Sequence, residues 1–86
     1  MLKIYGSMLC ADCATCLKDL DQAGIAYEFL DFSECLQYLK DFLKLRDTCP
    51  TFYSVKESGT IGIPCILDDD GNVTLDWNNY VSQAKT

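Results

Sequence analysis

Histidine is absent from the 86 residues, and positive charge is scarce: 7 Lys and Arg stand against 13 Asp and Glu, for a net charge of −6. Without histidine, any zinc site would have to rest mostly on thiolate. An acidic chain with no basic stripe repels phosphate backbones, so nucleic acid is not an expected partner. Long apolar runs are missing too. No stretch is long enough to span a bilayer, and Met1-Leu2-Lys3-Ile4-Tyr5-Gly6 lacks the run of a signal peptide. The expectation is therefore a cytoplasmic protein with no membrane partner. Repeats, linkers and low-complexity segments are also lacking, and the length fits one domain, residues 1–86. The acidic run Asp68-Asp69-Asp70 has neither the loop spacing nor the closing glutamate of an EF-hand, so it reads as a solvated turn.

Cysteine, by contrast, is abundant, with 6 residues. A secreted disulfide framework is one use for six thiols. The missing secretion run and an apolar content of 49%, enough for a core without staples, oppose it. In a reducing compartment most thiols stay free, and disulfides tend to be catalytic or transient.

Two of the six stand in Cys10-Ala11-Asp12-Cys13, which the sequence places between a strand and a helix. Leu2 to Tyr5 reads as the strand, and Asp12 to Ala23 as an amphipathic helix with Ala14, Leu17 and Leu20 inward. Backbone N–H groups at a helix start lack intrahelical partners and carry partial positive charge, which favours thiolate over thiol there. A second cysteine one turn into the helix is placed to close a disulfide onto the first.

Gly24 suits the left-handed position after the helix, and Ala26 to Asp31 reads as a second strand. Strand, helix, strand in so short a span implies parallel strands with a right-handed crossover. A second helix is expected to start near Asp31 or Ser33, with Asp31 and Glu34 as a capping box or Ser33 as the rival cap. Leu36, Leu39, Phe42 and Leu43 make its apolar face. Pro50 opens a further short helix to about Ser58, with Phe52 and Val55 inward and Gly59 ending it. Pro64 inside an apolar run belongs at the irregular start of a strand, Cys65 to Leu67. Asp70-Gly71 turns the chain into a last strand, Val73 to Leu75. A helix over 76–84, capped by Asp76 or Asn78, closes the chain, with Trp77 as a packing residue. The result is an α/β domain with a mixed four-stranded sheet.

With this order of elements, residues 1–77 resemble a small glutaredoxin-like (glutaredoxin-related) protein of the thioredoxin-fold superfamily. The strand Leu2–Tyr5, the turn Cys10-Ala11-Asp12-Cys13, Gly24 and the run Gly62-Ile63-Pro64 before a hairpin carry the likeness. The resemblance implies a thioredoxin-like fold, Cys10 as the nucleophile and Cys13 as the resolving thiol. It implies a cis Ile63–Pro64 bond facing the cysteines, and substrate binding by Ile63, Pro64 and Leu9. The implied activity is thiol–disulfide exchange on a disulfide-bearing protein or small-molecule disulfide. The resemblance further implies no required cofactor, glutathione or a flavoprotein reductase as the electron donor, and a monomer.

Several positions depart from that family. Ala11 and Asp12 replace the usual proline and aromatic residue, Ser7-Met8-Leu9 carries no lysine, and Leu75-Asp76-Trp77 replaces a Gly-Gly-Asp segment. Asp12 sets negative charge beside Cys10 and is expected to temper it. Ala11, Asp12, Cys16 and Cys65 are accessory candidates, while Cys35 and Cys49 read as structural. The alternative reading is a metal or iron–sulfur module built from Cys10, Cys13 and Cys16, with Cys65 as a fourth sulfur. A third is a non-catalytic interaction domain, which would keep its function after Cys10→Ser.

Overall fold

In the structure, a computed structural model that describes residues 1–84, β1 (Leu2–Gly6) lies inside the sheet with a neighbour on either side. The elements that follow are α1 (Ala11–Gln22), β2 (Tyr27–Asp31), α2 (Leu36–Thr48), a 3₁₀ turn (Pro50–Phe52), α3 (Tyr53–Ser58), β3 (Cys65–Leu67), β4 (Val73–Thr74) and α4 (Asn78–Ala84). The sheet order is β2-β1-β3-β4. β2 runs parallel to β1, from Leu2 opposite Tyr27 to Gly6 opposite Asp31, while β3 is antiparallel to both β1 and β4. The expected mixed four-stranded sheet is present.

Side chains alternate across a strand, so each strand feeds both faces of the sheet. Tyr5, Leu30 and Cys65 meet Phe42 and Phe52 on the face covered by α2 and the turn after it. Ile4 and Ile66 meet Cys16 and Leu20 on the other face, together with Trp77, Tyr80 and Val81. The molecule is thus a sheet between two helical layers.

Three expectations need correction. In α1 the buried stripe is Cys13, Cys16 and Leu20, with Leu17 half-buried and Ala14 exposed. A free thiol packs as a small apolar group, so the two cysteines complete the i, i+3, i+7 stripe. α2 begins at Leu36, not near Asp31 or Ser33, and its N-cap Cys35 offers no side-chain bond. The Asp31 carboxylate instead accepts the Ser33 N–H at 2.9 Å, holding a turn where β2 ends. The inward face of α2 is Tyr38, Phe42 and Leu45, whereas Leu36 is 65% and Leu43 41% exposed. Phe42 belongs to two overlapping stripes, and contact with Phe32, Phe52 and Tyr5 selects the one that buries more aromatic surface.

Smaller shifts are of one or two residues. β2 starts at Tyr27, β4 ends at Thr74 and α4 starts at Asn78, whose N–H donates to Asp76 at 3.0 Å. In the hairpin the Asp68 carboxylate accepts the N–H groups of Asp70 and Asn72, both at 2.9 Å. Trp77 packs in the second core and donates its indole N–H to Asp19 at 3.1 Å, tying the start of α4 to α1. Among the described residues no helix is long and apolar enough to cross a membrane.

Candidate functional site

Cys10 is the N-cap of α1, in extended conformation, with its carbonyl accepting the Ala14 N–H at 3.2 Å. Its own N–H donates to the Ser7 carbonyl at 3.0 Å. The side chain is partly exposed. Cys13, one turn on, is 0% exposed. Both thiols are free.

Two features missed by sequence reasoning hold this pair. The first is Gly6, the last residue of β1. A Cβ at Gly6 would lie 2.6 Å from Cys13 Sγ, so the strand end is a glycine because the sulfur fills that space. The second is a polar chain behind the loop. The Leu9 N–H donates to the buried Ser7 hydroxyl at 3.1 Å, and that hydroxyl donates to Ser33 Oγ at 3.1 Å. Ser33 in turn donates to the Asp31 carboxylate, which also accepts the Met8 N–H at 3.4 Å. The Ser33 hydroxyl is the main reason that Asp31 sits below the usual carboxylate range. The Asp31-x-Ser33 spacing was a visible signal, but it fits a helix cap equally well.

A cleft of about 450 Å³ is lined by Asp12, Val55, Leu75 and residues 59–63; Asp12 joins the cysteine turn to it, while neither Cys10 nor Cys13 is among the lining residues. Asp12 and Ile63 therefore meet at one cleft. The Ile63–Pro64 bond is cis, and Pro64 is buried beneath the cleft wall. Among the described residues the backbone N–H and C=O of Ile63 take no partner. Gly62 has φ +91°, and a Cβ there would come within 2.9 Å of the Phe52 ring, so the loop can lie this close to the core only with glycine. Arg46 holds the loop from α2, donating to the Thr60 carbonyl at 2.7 Å and the Ile61 carbonyl at 3.0 Å. Leu9 does not line the cleft. It stands 89% exposed beside Cys10, with Met8 at 55% and Ala11 also on the surface.

The other accessory cysteines do not join this site. Cys16 is fully buried under α1 on one face of the sheet, and Cys65 is fully buried on the other. A tetrahedral all-thiolate site from Cys10, Cys13, Cys16 and Cys65 does not fit that arrangement. Among the described residues no cluster of three or more Cys, Asp or Glu side chains is grouped to hold a metal ion.

A protein of Haemophilus influenzae, described as an uncharacterized protein, is 37% identical over 73 residues, which cover 85% of this chain and 85% of the relative. The chain belongs to that protein's family. No family model matches the sequence. No solved structure matches it either.

Burial pushes the Cys13 thiol up to about 11, Cys10 adding to the rise and the Ser7 N–H opposing it. Burial likewise pushes Cys16 and Cys65 up to about 12. An unfolded chain of this family member ionises its thiols from about pH 8.5 upward. From there to about 11 or 12 the folded chain holds more protons than the unfolded one. Stability is thus intact below about pH 8.5 and falls as pH rises through the folded values. The melting temperature of the reduced protein is expected to drop steadily over that interval. Cys16→Ala with Cys65→Ala should flatten the drop, and an unchanged slope would contradict this origin.

Proposed function

We propose that this chain is a glutaredoxin-like thiol–disulfide oxidoreductase of thioredoxin-like fold, with Cys10 as nucleophile and Cys13 as resolving thiol. The observation that carries the reading is the asymmetry of the pair: a partly exposed thiol at a helix N-cap precedes a fully buried thiol one turn inside the helix, and Asp12 between them lines an open cleft. The sheet order and the Ile63–Pro64 segment at the cleft support the same reading.

In the first step Cys10, having lost its proton to solvent, attacks one sulfur of the substrate disulfide. A Cys10–substrate bond forms, the substrate S–S bond breaks, and the departing thiolate takes up a proton. Cys13 then attacks Cys10 Sγ. The Cys10–Cys13 bond forms, the second substrate sulfur leaves, and it receives the proton that Cys13 gives up. Two electrons have passed from the dithiol to the substrate. A thiol reductant, either glutathione or the dithiol of a flavoprotein reductase, restores the pair. Burial holds Cys13 in the protonated form in the free dithiol, so it must give up its proton as it attacks in the second step.

The test is a redox-buffer titration with acid quench, alkylation and peptide mass readout. The expected result is one two-electron transition that changes the tags on Cys10 and Cys13 alone. No transition at these residues would sink the reading.

A further inference from the structure

The cleft has a chemical bias of its own. Its walls are apolar, from Val55, Ile61, Ile63 and Leu75, and the one charged side chain among its lining residues is Asp12. Among the described residues the Asp12 carboxylate has neither an ion pair nor a hydrogen-bond donor, since the one ion pair joins the N-terminus to Asp69. Two cations on the elements around the cleft loop are engaged elsewhere. Arg46 is bound to the Thr60 and Ile61 carbonyls, and the Lys56 ammonium lies 5.4 Å from the centre of the Tyr53 ring. Exposed Met8 and Leu9 precede Cys10 outside the cleft, and the whole chain carries −6. Such a surface attracts a basic group and disfavours an acidic one.

Resting on the disulfide chemistry proposed above, we infer that the cleft takes an extended peptide segment of a protein, in which the reactive cysteine is flanked by apolar residues and a basic side chain that pairs with Asp12. Asp12 is then the residue that sets specificity. It stands between the two cysteines, so the basic side chain is read within a residue or two of the sulfur under attack. The partnerless N–H and C=O of Ile63 offer the backbone of that segment a place to bond. A small disulfide that brings carboxylates and little apolar surface meets none of these features.

The experiment is a single-turnover assay with the pre-reduced protein, which needs no external reductant. Three peptide disulfides serve as probes, identical except for Lys, Gln or Glu next to the cysteine, with glutathione disulfide as the fourth. The expected order of rate constants is Lys above Gln above Glu, at about fivefold per charge in low salt, and the spread shrinks as salt is added. Asp12→Asn is expected to collapse the spread, and Asp12→Lys to invert it. Ratios between probes cancel any general effect of Asp12 on Cys10. Equal rates for the three peptides, or a spread that survives Asp12→Asn, would overturn the role of Asp12. Glutathione disulfide outrunning the Lys probe would overturn the peptide assignment. Reduction of the probes without charge order sinks this inference alone, whereas no reduction of any probe sinks the disulfide chemistry beneath it.

Discussion

Cys13→Ser is expected to leave Cys10 joined to its substrate in a mixed disulfide that does not resolve. The partly exposed N-cap thiol should still attack, because its helix end and the Ser7 carbonyl that holds its N–H are untouched. Only the buried sulfur one turn further along α1 is gone, and a serine hydroxyl does not displace a thiol from a disulfide. With no small thiol added, turnover should fall by about a thousandfold or more, as when one member of a catalytic unit is removed. Mass spectrometry of the trapped species should place the partner on Cys10. Cys10→Ser should match the loss of turnover and trap nothing. A partner found on Cys16 or Cys65 would overturn the assignment of roles, and the burial of both thiols argues that none will be.

Phe42→Ala is expected to be the most damaging single change to stability among the aromatic positions. Phe42 is 1% exposed, and its ring centre lies 5.2 Å from Phe32, 5.8 Å from Phe52 and 6.4 Å from Tyr5. Truncation removes the hub of this cluster and leaves a cavity between α2 and the sheet, at a loss of about 3–5 kcal/mol. A domain of this size is stable by only about 5–15 kcal/mol in total. Urea unfolding should therefore show a midpoint shifted far toward zero denaturant. Leu36→Ala and Leu43→Ala provide the contrast. Both lie on the stripe that helical spacing assigns to the core, yet both are exposed, and each should cost less than about 1 kcal/mol. Equal losses at Leu36 and Phe42 would contradict the orientation of α2.

That helix shows where reading residues in order stops being enough. α2 carries two apolar stripes that share Phe42, and periodicity alone does not rank them. Only the rings that β1 and the 3₁₀ turn bring to Phe42 decide. Asp31 and Ser33 fit a cap in the chain and instead brace the cysteine loop, because Ser7 arrives from a distant point in sequence. Cys16 fits packing, ligand and redox roles equally in the chain, and it is the fold that buries it with Ile4, Leu20 and Ile66. Where local rules and the fold agree, the sequence reads well. The strand–helix–strand opening, the Gly24 helix end, the hairpin at Gly71 and the irregular entry at Pro64 all rest on short-range sterics that tertiary contacts do not override. The cysteine turn at a helix start belongs to the same group, whereas the cleft beside it depends on Arg46 and Gly62 meeting a loop far along the chain.

The sheet also acts as a partition. Cys16 lies beneath one face and Cys65 beneath the other, with Ile4, Tyr5 and Ile66 filling the space between. A pair of thiols separated by a hydrogen-bonded sheet does not meet while the chain stays folded. Scrambled isomers that join these two sulfurs therefore form only during synthesis or after unfolding. Fold integrity is thus what keeps the two buried sulfurs apart, and a destabilised variant would reveal itself under oxidising conditions as mispaired chains.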